Sequence, residues 1–293
     1  MQYYPSPAKI NRMLRVIRRE ANGYHYLQTV FQFTDLYDEI GYQITDHPEI
    51  TFHYPHINFP KEEDLIYRAI MALKDATQCT KGVMIDLVKN LPMGAGIGGG
   101  SSNAATTLIV LNKLWELNLT KEQLIDIGSQ LGADVPIFIY GRSAWGEGIG
   151  EKLTPLDLPE ERFLMINPGI HISTKVIFES PFLPRNSAMM NEYYFDQSRA
   201  LNDCLPAIYH HYPEMEQIMK RLIALDFDPY ITGTGSCLYI KEPAKESDGE
   251  TKYQQIRELA TQHQWQLIPF QSCNISPLYS AYPQLKPYEE RID

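Results

Sequence analysis

The chain of 293 residues carries 26 Lys and Arg against 36 Asp and Glu, a formal net charge of −10, with 44% hydrophobic and 21% charged residues. That balance excludes a disordered chain and argues against bulk nucleic-acid binding, which shows as a basic surface. No apolar run approaches the roughly 20 residues that cross a bilayer as a helix.

The length suits two domains. The opening "MQYYPSPAKIN" lacks the basic stretch and apolar core of a secretory signal, so the expected location is the cytoplasm, with no membrane partner. Cys79, Cys204, Cys237 and Cys273 are scattered without a C-x-x-C pair, which predicts reduced, structural thiols and no metal site. "KINRMLRVIRRE" gathers Lys9, Arg12, Arg15, Arg18 and Arg19, either to hold a small anion or as the solvated face of a strand. "VFQFTDLYDEIGYQIT" and "ITFHYPHINF" read as strands, broken by Gly41 and Pro48. "KEEDLIYRAIMALKDAT" repeats apolar residues at helical spacing, and "GVMIDLVKNLP" reads as a strand entering a turn at Pro92. After the glycine-rich stretch, Ser101 or Ser102 caps a helix carrying Leu108, Leu111, Leu114 and Trp115. "TKEQLIDIGSQLG" predicts a helix with a Thr120–Gln123 capping box and a stop at Gly132; "VPIFIYG" reads as a short strand. A composition shift near residue 160 places a domain boundary there, giving 1–160 and 161–293. The second half predicts a new strand after the Pro and acidic residues near "LDLPEERFLMINPG", helices around residues 197 to 225, a strand–loop–strand at "YITGTGSCLYI", a polar surface loop "KEPAKESDGETK" and a final helix–strand pair. The class is α+β.

"LPMGAGIGGGSSNAATTL", residues 91 to 108, sets Gly94, Gly96, Gly98, Gly99 and Gly100 within seven positions. Gly94, Gly96 and Gly99 match G-x-G-x-x-G, yet a second helix follows where a Rossmann unit needs a strand. No Lys follows Gly100, which excludes a Walker A loop. H-R-D and D-F-G are absent, which excludes a protein kinase. What is left is a glycine loop feeding a helix N-terminus, whose unpaired N–H groups and dipole suit phosphate. The candidate residues are Pro92, Met93, Gly94, Ala95, Gly96, Ile97, Gly98, Gly99, Gly100, Ser101 and Ser102.

This loop resembles the ATP loop of the galactokinase, homoserine kinase, mevalonate kinase and phosphomevalonate kinase (GHMP) superfamily. With "AKIN", "GYHYLQTVFQF", "LGADVPIFI" and "TGTGSCLY" in this order, it is similar to the branch that phosphorylates a cytidylated methylerythritol in the non-mevalonate route to isoprenoid precursors. The likeness runs from about residue 5 to residue 280 and implies a two-domain GHMP-kinase fold, ribosomal-S5-domain-2-like then ferredoxin-like. It implies ATP, with Mg2+, and a small-molecule cytidyl substrate as partners, and no nucleic acid. A monomer or weak homodimer is expected.

From the residues alone, Asp134 is either a catalytic carboxylate or an Asx turn or cap. "TGTGS" is either a tight hairpin or a second anion loop. Tyr24, His25 and Phe178 are core residues or a stacking site for a pyrimidine. The resemblance assigns Asp134 to the acceptor hydroxyl and Lys9 to its charge partner. By the same carry-over Tyr24, His25 and Phe178 go to cytosine, Asn11 and Thr174 to the acceptor, and Gly233 and Gly235 to a loop closing the site. Arg12 stands where the family has an apolar residue, setting a charge near the acceptor or at an edge. Asp64 stands where it commonly has Asn near the nucleotide. A homoserine- or mevalonate-type kinase, or a non-catalytic nucleotide- or RNA-binding protein on the same fold, are the alternatives.

Overall fold

Two long antiparallel strands frame the molecule, β1 (Gln2–Arg19) and β2 (His25–Thr45). Their β-branched and aromatic residues suit a pleated, half-buried surface, and Gly41 lies within β2 without interrupting it. The structure is a computed structural model that describes residues 1–53, 60–196, 201–243 and 247–287. Register irregularities fall between Pro7 and Lys9, between Asn11 and Met13, and between Val16 and Arg18. Side chains alternate faces along a strand, and each bulge shifts that alternation by one. Lys9, Asn11 and Leu14 therefore face one cleft, beside Leu27, Thr29 and Phe31 of β2.

Arg12 faces the opposite way. It is buried, donates to Gln32 Oε1, pairs with Glu161 and lies over the Phe163 ring. The charge does not line that cleft, and it is buried rather than at an exposed edge. Arg18 and Arg19 alone of that cationic run are exposed.

The remaining elements, in order, are β3 (Ile50–Phe52), α1 (Leu65–Thr77), β4 (Gly82–Val88), α2 (Gly99–Leu114), α3 (Lys121–Leu131), α4 (Val135–Tyr140), β5 (Ala144–Gly148), β6 (Lys152–Pro155), β7 (Arg162–Asn167), α5 (Thr174–Glu179), α6 (Leu205–His211), α7 (Pro213–Ala224), β8 (Tyr230–Ile231), β9 (Leu238–Lys241), α8 (Ser247–His263), β10 (Gln266–Cys273) and α9 (Pro277–Ala281). One edge of β2 pairs along its length with β1; the other is divided among β5, β10 and β4. β10 continues onto β7, then β9 and β8, so the strands form one sheet.

Among the described residues four apolar clusters fill the interior, the smallest of them Met13, Val30, Trp145 and Leu158. One gathers Phe33, Ile70, Leu108 and Phe138, and another Leu164, Ile208, Leu222 and Ile240. A third, smaller one holds Ile10, Ala95, Ile97, Phe163 and Tyr239. α2 is the central helix, buried from Ser102 to Leu111 among α1, α3, α4 and β1. Among the described residues no helix is long and apolar enough to cross a membrane.

Several local expectations are corrected. α1 begins at Leu65, because Asp64 is extended and its carboxylate accepts the Ile66 N–H. "VPIFIYG" is the helix α4, not a strand. A short apolar run has no distinguishing period, and here Pro136 lies in the first turn while Gly141, at φ +76°, ends the helix in the left-handed region. Neither Ser101 nor Ser102 caps α2; Gly98 does, with both serines inside the first turns. Residues 247–252 of the expected polar loop belong to α8. The strand expected after Phe52, the middle of that loop (244–246) and the start of the helices expected from residue 197 lie outside the described residues. The α3 helix has its Thr120–Gln123 capping box and ends at Gly132.

Candidate active site

The glycine stretch alternates two kinds of residue. Ala95 and Ile97 are buried in the third cluster, whereas Gly94, Gly96 and Gly98 between and beside them hold φ of +65°, +75° and +73°. The apolar pair anchors the loop, and the glycines supply the left-handed turns. The carbonyl groups point back into the protein. Ile97 accepts the Lys9 N–H (3.1 Å), Ala95 accepts the Cys237 N–H (3.2 Å), and Gly96 accepts from Thr232 Oγ1 (3.2 Å). The first N–H of α2 to find an intrahelical partner is Ser102, which donates to Gly98 O at 2.8 Å. The preceding N–H groups open on a cleft of about 910 Å³ that residues 92–101 line. Unpaired amides and the positive end of a long helix suit an anion there. Ser102 is a correction: it is fully buried, accepts from Ser6 Oγ and does not line the cleft.

Lys9 lies directly beneath this loop. Its ammonium sits 3.3 Å from Asp134 Oδ2, donates to Asn11 Oδ1 at 2.7 Å and to Gly96 O at 3.3 Å, and is almost wholly buried. Asp134 precedes α4 in helical backbone geometry, yet its carboxylate makes no capping bond and is 37% exposed in the cleft. The cap role is thus set aside by geometry: the carboxylate faces the lysine. Asn11 is held in turn by Thr29 Oγ1 (2.9 Å), and its N–H donates to Thr232 Oγ1 (3.0 Å).

The second glycine loop, between β8 and β9, packs against the first. A Cβ on Gly96 would meet Thr232 O at 2.3 Å and Gly235 O at 2.9 Å; one on Gly233 would meet Asn11 Oδ1 at 3.2 Å. Thr174, the first residue of α5, bonds Thr234 Oγ1 at 2.9 Å. Thr174, Gly233, Thr234 and Gly235 all line the cleft.

The far end of the cleft is aromatic. Phe178 lines it from the helix α5, and the buried His25 ring lies 5.3 Å from Phe178 without lining the cleft itself. Burial first, then the nearby Arg185 and Arg19 guanidinium groups, hold His25 below the usual imidazole range, so the ring is neutral at pH 7. Tyr24 stands 59% exposed in the β1–β2 turn, outside the cleft lining. The structure therefore brings His25 and Phe178 together and leaves the Tyr24 ring apart.

Residues 64–142 match the family of GHMP kinases N terminal domains. A 4-diphosphocytidyl-2-C-methyl-D-erythritol kinase of Pseudoalteromonas atlantica is 43% identical over 82% of this chain and 83% of its own length. One of Methylococcus capsulatus is 41% identical over 94% of this chain and 93% of its own. The chain belongs to the 4-diphosphocytidyl-2-C-methyl-D-erythritol kinase family. A crystal structure of a 4-(cytidine 5'-diphospho)-2C-methyl-D-erythritol kinase superposes with a TM-score of 0.75 at 27% identity, covering 92% of this chain and 99% of that one. The architecture is accordingly the α+β GHMP-kinase fold, and the chain is a small-molecule kinase.

Within this family member, the sequence reading missed several groups. Lys89 bonds the buried Asp38 carboxylate, and a Cβ on Gly99 would lie 3.4 Å from its ammonium. Asp38 also accepts the Asn90 and Leu91 N–H groups, both at 2.8 Å, fixing the entry to the loop. A cation two residues before "LP" was the available signal. Asp64 and Leu65 line the cleft beside Gly100, so the Asp64 departure sits at the loop end of the site. Among the described residues no group of three or more His, Cys, Asp or Glu side chains is placed to hold a metal ion.

Gly96→Ala is expected to raise the KM for ATP and destabilise the fold by about 1–3 kcal/mol, since the new methyl meets backbone at a left-handed φ. Denaturant titration and ATP saturation curves check this. An unaltered KM for ATP would separate the loop from nucleotide binding.

Proposed function

We propose that this chain transfers the γ-phosphoryl group of ATP to the 2-hydroxyl of 4-diphosphocytidyl-2-C-methyl-D-erythritol. The observation that carries the reading is one cleft in which the Lys9–Asp134 pair, 3.3 Å apart, faces the open N-terminus of α2 while Phe178 lines the other end, with the buried His25 ring packed beside it. Phosphoryl transfer leaves little covalent work to the protein, so positioning and charge stabilisation dominate.

In this reading the N–H groups of Gly98–Ser101 cradle the ATP phosphates, and magnesium arrives on ATP as its counter-ion. Asp134 accepts the hydrogen bond of the acceptor hydroxyl and takes its proton as the oxygen bonds to the γ-phosphorus. The bond to the β-phosphate oxygen breaks, releasing ADP. The Lys9 ammonium offsets negative charge at the transferred group. Asn11 and Thr174 orient the acceptor, and Gly233 and Gly235 let the second loop approach it. The Phe178 face and the His25 edge select cytosine, with Tyr24 at the rim. Residues 1–160 and 161–293 are read as the two domains that meet at this cleft.

ADP release from the purified chain with Mg-ATP and one acceptor at a time tests the assignment. Turnover with the cytidyl acceptor, but not with mevalonate or homoserine, is expected. Equal turnover of mevalonate or homoserine, or none with the cytidyl acceptor, would refute it.

A further inference from the structure

Arg185 follows α5 in sequence and reaches both sides of the aromatic end. Its Nε donates to His25 Nε2 at 2.9 Å. One terminal nitrogen donates to Leu183 O at 3.0 Å; the other donates to Phe178 O at 2.9 Å and Ser180 O at 2.8 Å. Those last two carbonyl groups belong to the end of α5, where unpaired carbonyls need donors. The guanidinium thus joins the helix end that presents Phe178 to the first residue of β2, His25.

Guanidinium nitrogens only donate. His25 Nε2 must therefore be the bare, accepting nitrogen, and the ring proton of the neutral imidazole resides on Nδ1. That nitrogen makes no hydrogen bond to any described residue. Cytosine offers acceptors at N3 and O2, whereas uracil presents an N3–H donor. O2 accepts in both bases, so a fixed Nδ1–H distinguishes them at N3, where it suits cytosine and opposes uracil. The charged groups acting on the ring are Arg185 and, paired across from His25 on β1, Arg19; both are cations and both favour the neutral ring.

We infer that Arg185 is a positioning residue for base recognition: it fixes His25 as the Nδ1–H tautomer and holds the Phe178 helix end against it. One side chain thereby sets the hydrogen-bond donor and the ring face offered to the base, and distinguishes a cytidyl from a uridylyl acceptor. The inference rests on the cytidyl acceptor proposed above.

Long-range proton–nitrogen NMR correlations on the histidine-labelled full chain, with His25→Gln to assign the signal, read the tautomer directly. Nδ1 protonated and Nε2 bare is the expected result. Arg185→Met should shift the proton towards Nε2 and raise the KM for the cytidyl acceptor about tenfold. It should erase most of the preference over a uridylyl analogue, with kcat and the KM for ATP unchanged. Arg185→Lys, which keeps a donor for Nε2, should recover part of the preference.

A wild-type His25 protonated on Nε2 overturns the inference, even where Arg185→Met fails to fold. So does a folded Arg185→Met with unmoved tautomer and acceptor KM. Wild-type protein that does not phosphorylate the cytidyl acceptor refutes the function itself. Normal wild-type turnover with an indifferent Arg185→Met refutes only this role.

Discussion

Asp134→Asn is expected to lower kcat by about 10³-fold while leaving the KM for ATP and the fold nearly unchanged. The amide keeps the size of the carboxylate and can still accept from Lys9, so the local geometry survives. What disappears is the anionic oxygen able to take the hydroxyl proton. The stability cost is small because the carboxylate is more than a third exposed and makes no capping bond; partly exposed pairs contribute about 0–1 kcal/mol. Steady-state rates with the cytidyl acceptor, beside a denaturation curve, decide the matter. A variant within tenfold of wild type would leave Asp134 only an orienting role.

Lys9→Met removes a buried cation that touches three groups at once, and both kcat and stability should fall. Asn11 Oδ1 and Gly96 O lose their donor in a dry setting, which costs about 1–3 kcal/mol for each buried group left unpaired. Loss of the positive charge beside the transferred group lowers kcat by about 10²–10³-fold. The Lys9→Met, Asp134→Asn double variant should be scarcely slower than the worse single one, because groups that act as a unit are not additive. Single-turnover rates on the refolded variants test this. Full additivity would mean that the pair does not work together.

The glycine stretch was legible because its composition has one physical reading: backbone that something must approach. The partnership of Lys9 with Asp134 was not. Nothing local links "AKIN" to "LGADVP"; only the resemblance paired them, and the fold supplies the reason by laying β1 under the loop and α4 beside it. α4 itself was misread since "VPIFIY" is apolar on every side and too short to show a period. Ser102 looked like a phosphate ligand until the helix, starting one turn earlier than its serines suggested, rotated it into the core. Arg12 illustrates the same limit on a strand, where a single bulge decides which face a charge takes. Arg185 gave no signal at all, because its significance lies in four acceptors drawn from two separate stretches of chain.

The two glycine loops lock together, and β10 inserts between β2 and β7, although residues 232–235 and 266–273 come late in the chain. On the ribosome, a nascent polypeptide that has emerged only as far as α4 already displays the lysine, the aspartate and the first loop. It still lacks Thr232 and Cys237, which hold the Gly96 and Ala95 carbonyls. The first loop takes its final shape only when the segments around Thr232–Cys237 have been synthesised and docked against it.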